Sequence, residues 1–76
     1  MVTRTRCHLC EEMESVLEAV LPELGLEYSK LDVDANPELK RRFGDIVPVL
    51  LRDGLPVAKV RLDSQQLLRI VRRRRT

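Results

Sequence analysis

Cys7 and Cys10 are the only two cysteines of the chain, and they stand three residues apart in Cys7-His8-Leu9-Cys10. At that spacing, on the first turn of a helix, two thiols share a face and can close into a disulfide and reopen. A helix N-terminus carries partial positive charge, which favours thiolate over thiol. The pattern therefore reads as a site for thiol–disulfide exchange, with Cys7 as the attacking sulfur and Cys10 as the one that resolves. Three features should lower the Cys7 pKa below that of a free thiol, about 8.5. They are the helix start, Arg4 and Arg6 close by, and a partly protonated His8. Glu11, Glu12 and Glu14 oppose them, so a moderate lowering is expected. A moderate value suits exchange, because nucleophilicity falls as pKa falls.

Other chemistries fit the pair less well. A structural disulfide closing so short a loop would add only about 2 kcal/mol. A zinc site wants four ligands, and only Cys7, Cys10 and His8 are on offer here. A metal or iron–sulfur cluster would have to be shared between two chains or completed by external thiols. A non-catalytic interaction module that keeps a vestigial pair is the third alternative. His8 either shuttles a proton and tunes Cys7 or is an exposed bystander.

The elements that must hold these residues follow from patterning. Val2 to Arg6 is a short candidate strand. Leu9, Met13, Val16, Leu17, Val20 and Leu21 recur with helical period and put an apolar stripe opposite a glutamate-rich face. Pro22 and Gly25 end that helix. Leu26 to Val33 reads as a second strand. Asn36-Pro37-Glu38 starts a second helix, with Asn as N-cap and Pro at the first helical position. It ends near Phe43-Gly44, where glycine can form a left-handed cap. Pro48 to Leu51 is an apolar strand, Asp53-Gly54 a hairpin turn, and Pro56 to Val60 its partner strand. Asp63 caps the last helix, with Gln66 in the capping-box position and Leu62 able to staple onto Leu67. The order β-α-β-α-β-β-α predicts an α/β fold, a four-stranded mixed sheet with three helices on its faces.

That order, the Cys-x-x-Cys at the start of the first helix and Ile46-Val47-Pro48 before the third strand resemble the thioredoxin fold. More narrowly, the chain is similar to small bacterial glutaredoxin-like proteins. The resemblance rests on Cys7-His8-Leu9-Cys10-Glu11, on Leu31-Asp32-Val33-Asp34 with Asn36-Pro37-Glu38-Leu39, and on Val47-Pro48-Val49-Leu50 with Asp53-Gly54. It covers nearly the whole chain as one domain, residues 1–76. It implies that Cys7 attacks, that Cys10 resolves and that Pro48 is cis. It also implies that Val47 offers backbone hydrogen bonds to the bound thiol partner. Sequence shows two departures. The first strand is short and charged, so it is either barely formed or preceded by chain upstream of Met1. The Gly-Gly turn that glutathione-binding glutaredoxins carry before the last helix is replaced by Val60-Arg61-Leu62-Asp63, which weakens the case for glutathione.

The implied substrate is a disulfide-containing protein or a small-molecule thiol. Its contacts are expected at His8, Val47, Pro48, Arg4, Arg6 and, through backbone N–H groups at a helix start, Asp63 and Ser64. No bound cofactor or metal is expected. The oxidised pair would be reduced by an external thiol such as glutathione or by a reductase. A net charge of +2, one Tyr, one Phe and no Trp give no platform for nucleic acid. The run Arg72 to Arg75 is short and complements a helix C-terminus. No apolar run approaches the roughly 20 residues that span a membrane, and no secretory leader is visible. A cytoplasmic monomer is the expectation. At 76 residues the domain buries only about 60% of its unfolded surface, so its stability margin should be thin.

Overall fold

A computed structural model describes residues 1–73. Four strands and three helices are present: β1 (Val2–Thr3), α1 (His8–Val20), β2 (Leu31–Asp32), α2 (Pro37–Phe43), β3 (Val49–Arg52), β4 (Leu55–Lys59) and α3 (Ser64–Arg72). Short 3-10 turns at Pro22–Leu24 and Val33–Ala35 complete the order. The sheet runs β2-β1-β3-β4. β1 pairs in parallel with β2 and antiparallel with β3, and β3 pairs antiparallel with β4. This is the mixed four-stranded sheet with three helices that the element order predicts.

Strand alternation divides the core in two. Met1 and Leu50 face Cys10, Met13, Leu17 and Leu21 of the α1 region and Leu62 and Leu67 of the α3 region. Val2 and Val49 face the other way, against Val33 and Phe43 beside α2. Met13 and Leu17 are sealed at 1% and 0% exposure, so the apolar stripe of α1 is the face it buries. Its outer face keeps Glu11, Glu12 and Glu18 in solvent.

Local signals explain the element ends. Asn36 accepts from the N–H groups of Glu38 and Leu39 at 2.9 and 3.2 Å, with Pro37 inside the first turn. Asp63 and Gln66 form a reciprocal capping box at 2.8 and 2.9 Å, and Leu62 and Leu67 meet in one buried cluster. The hairpin turns through Asp53 (φ 55°) and Gly54 (φ 82°). Two consecutive positive φ values are what a two-residue hairpin with native twist requires. Pairing then slips between Leu50↔Ala58 and Leu51↔Pro56, leaving Val57 as the extra residue of a bulge. Val57 and Ala58 both pack toward the α1–α3 side, as a bulge allows.

Three expectations need correction. The first strand stops at Thr3 instead of reaching Arg6, barely formed as its charged sequence allows: Arg4 bonds to Asp34 and Gly44, and the chain turns at Arg6 (φ 58°). The second covers only Leu31–Asp32, not Leu26 to Val33. It is an edge strand that pairs with the two residues of β1, and Met1 adds a backbone bond to each of Ser29 and Leu31. Gly44 is right-handed (φ −54°), so it is no left-handed cap. A Cβ there would lie 2.5 Å from the Lys40 carbonyl oxygen, so close approach is what favours glycine. Of the terminal arginine run, Arg74 and Arg75 lie outside the described residues.

Candidate active site

Topology gathers the expected residues at one end of the sheet. The register Val2↔Val49 sets Pro48 beside the C-terminal end of β1, where the chain leaves for Cys7. β4 runs antiparallel to β3 and delivers Val60, Asp63 and the start of α3 to that same end. β2, parallel to β1, brings Asp32 and Asp34 there as well.

Cys7 is the N-cap of α1, in extended conformation, and its Sγ accepts a hydrogen bond from the backbone N–H of Cys10 at 3.2 Å. The two sulfurs are joined as a disulfide across a Cα–Cα distance of 5.1 Å. The pair is asymmetric. Cys10 is 1% exposed within the core, whereas Cys7 is half-buried at its edge. Cys7 is the more accessible member of the pair. A sulfur at the Cys7 position meets both an N–H donor and the positive end of the α1 dipole, and each favours its ionised form.

Val47 packs against both core clusters. The Val47–Pro48 bond is cis, and Pro48 is fully buried. The Pro48 carbonyl oxygen accepts the N–H of Val60 at 2.7 Å. Val60 holds φ 67° and sits between Lys59 and Arg61, whose N–H bonds back to the Lys59 carbonyl at 2.7 Å. This is a γ-turn of the strained hand.

His8 points outward, 83% exposed at its side chain, with Nε2 3.3 Å from Glu12. Asp63 uses its carboxylate to cap α3, and Ser64 is exposed beside it. Arg4 does not reach toward sulfur. Its Nε and Nη2 donate to the two oxygens of Asp34 at 2.8 and 3.1 Å, and Nη1 donates to the Gly44 carbonyl at 3.1 Å. Hydrogen bonding to Arg4 holds the Asp34 carboxyl below its ordinary value and raises the guanidinium in turn. Arg6 is exposed at φ 58°. A hollow of about 340 Å³ beside Cys7 is lined by Arg4, Arg6, Lys30, Glu11, Glu14 and Asp32, among others. Lys30 is paired there to Glu14 at 2.9 Å.

Sequence reading missed two of these participants. Asp34 stands out in the sequence only as the end of the Leu31-Asp32-Val33-Asp34 stretch. Its signal was the parallel pairing of β1 with β2, which carries residues 4 and 34 to one sheet end. Val60 had no local signal, since its conformation is tied to a carbonyl twelve residues away. Among the described residues no three His, Cys, Asp or Glu side chains converge as a metal cage. No helix is long and apolar enough to cross a membrane among those residues.

Comparison with known proteins agrees with this geometry. The glutaredoxin-like domain (DUF836) family matches residues 1–72. A protein of Mycobacterium tuberculosis described only as uncharacterized is 33% identical over 72 residues, covering 88% of this chain and 74% of its own. Its Mycobacterium bovis counterpart matches equally. A protein named thioredoxin in Mycobacterium tuberculosis is 39% identical over 61 residues, 74% of this chain and 53% of that one.

Proposed function

The chain belongs to the glutaredoxin-like domain family, and from that membership we propose that it is a thiol–disulfide oxidoreductase working through Cys7 and Cys10. The observation that carries the reading is the asymmetry of the pair: one sulfur half-open at a helix start, its neighbour sealed beneath it.

In the proposed cycle the Cys7 thiolate attacks one sulfur of a substrate disulfide. The substrate's other sulfur leaves as a thiolate and takes up a proton from water. Cys10 then loses its proton and attacks the Cys7 sulfur, which releases the second substrate thiol. Two electrons have passed to the substrate, and Cys7–Cys10 is left oxidised. An external thiol or a reductase returns the electrons. In this cycle the backbone of Val47, beside the cis Pro48, aligns an incoming extended segment. The substrate is a protein disulfide or a small disulfide, and the working unit is a monomer.

The test is trapping. With a disulfide substrate, Cys10→Ser should accumulate a mixed disulfide at Cys7, visible as an added mass that dithiothreitol removes. Cys7→Ser should neither turn over nor trap. Full turnover by Cys7→Ser would reject the proposal.

A further inference from the structure

We infer that Arg4 is a positioning residue for Cys7: its guanidinium ties the loop that leads to the sulfur onto two neighbouring segments. This rests on the exchange reading of the Cys pair and names what orients its outer member. All three guanidinium nitrogens are engaged. Nε and Nη2 grip Asp34 as a fork, and Nη1 reaches the Gly44 carbonyl just past α2. One side chain thereby joins the exit of β1, the turn after β2 and the end of α2.

Only Thr5 and Arg6 separate this tie from Cys7, and Arg6 reverses the chain in the left-handed region. β1 itself pairs through only two residues on its β2 side and one on its β3 side. The sheet alone is therefore a short anchor for the loop. The tie's geometric result is that the Cys7 sulfur stays on the Cys10 N–H at the mouth of α1. A loop released from Asp34 and Gly44 lets that sulfur leave its donor and the helix end, and the thiolate loses both sources of stabilisation.

The sequence offers a rival reading, in which Arg4 acts on Cys7 through its charge. The two make opposite predictions. Lysine keeps the charge but cannot form the fork. Removing the Asp34 carboxylate takes away the strongest of the acidic neighbours of Arg4, with Asp45 and Asp32 remaining, so by charge alone it should make Cys7 more acidic.

The experiment is the pH profile of iodoacetamide alkylation at Cys7 in the reduced full chain, with adducts located by mass spectrometry. It compares the parent with Arg4→Lys and Asp34→Ala, each first shown folded by circular dichroism. The tie predicts that both variants shift the alkylation midpoint upward. At neutral pH their rates should fall about threefold or more, as the thiolate fraction drops toward that of a free thiol. A parental profile in Arg4→Lys, or a midpoint that is unchanged or lowered in Asp34→Ala, overturns the inference. If one of the two variants does not fold, the other decides alone, because each separates the tie from the charge. Alkylation needs no disulfide substrate, so the tie is judged separately from whether Cys10→Ser traps one.

Discussion

The N–H of Val60 donates to the carbonyl oxygen of Pro48 at 2.7 Å, and Val60 makes this bond from a left-handed backbone. For a residue other than glycine, so sparsely populated a conformation costs of order 1–3 kcal/mol. A β-branched side chain is particularly ill-suited to it.

The usual ranking of alanine over glycine should therefore invert at this position. Elsewhere in regular structure glycine is the less stable by about 0.5–1 kcal/mol. At position 60, Val60→Gly should unfold at higher urea than Val60→Ala, by roughly 1 kcal/mol. Both variants keep the N–H that reaches Pro48, so the comparison isolates the backbone. Equal midpoints, or alanine ahead, would show that Val60 is relaxed in solution.

Tyr28 is the chain's one tyrosine, so its ionisation can be followed directly by ultraviolet absorbance. Burial, followed by donation to the Glu18 carboxylate at 3.2 Å, pushes its pKa up to about 12. The raised value means that the folded state holds this proton more tightly than the unfolded chain. Its contribution to stability is complete below pH about 10, the ordinary tyrosine value, and is lost as pH climbs through 12. The phenolate band should appear near the higher value. Glu18→Gln should bring it part of the way back, since burial is the larger cause. Urea midpoints of the parent should fall between pH 10 and 12, and Tyr28→Phe should remove that share of the fall.

The Asp63 carboxylate satisfies the Gln66 N–H, one of the four that every helix start leaves without an intrahelical partner. Asp63→Ala should cost about 1 kcal/mol, and Asp63→Asn or Asp63→Ser should restore most of it. Thermal unfolding of the three variants ranks them. A cap that worked only through its negative charge would leave Asn and Ser no better than Ala.

Leu17 is fully sealed between α1 and the sheet. Leu17→Ala should lose on the order of 3 kcal/mol, from lost burial and the cavity left behind. A domain of this size holds roughly 0.05–0.15 kcal/mol per residue in total. The loss is therefore a large part of the whole, and the variant should be partly unfolded at body temperature by circular dichroism. A shift under 1 kcal/mol would mean that the neighbouring leucines close the gap.

What could be read from sequence was what neighbours in the chain decide. The Asp63–Gln66 box, the Asn36 cap, the Asp53–Gly54 turn and the stripe from Met13 to Leu21 are local, and the structure shows each of them. Strand lengths were not local. Leu26 to Lys30 carries strand-like residues, but the sheet meets it at Met1, whose amino group donates to the Ser29 carbonyl and whose carbonyl accepts from Leu31, so regular pairing starts at Leu31. Arg4 reads as one more charge near a thiol. Its partners, Asp34 and Gly44, lie thirty and forty residues away, and only the sheet order brings them within reach. Val60 is the extreme case. Its residue type argues against its conformation, and one of the bonds made from that conformation goes to a carbonyl just before β3.

The near-total enclosure of Cys10 has a consequence for the lifetime of such a molecule. Oxidants arriving from solution meet the outer sulfur first and can damage it beyond repair only by outrunning a neighbour already within bonding range. The inner atom is a reserve that strangers do not reach. If the pair works as proposed, a sulfenic acid formed on Cys7 condenses with the Cys10 thiol, with loss of water, to a disulfide that a thiol reductant can reopen.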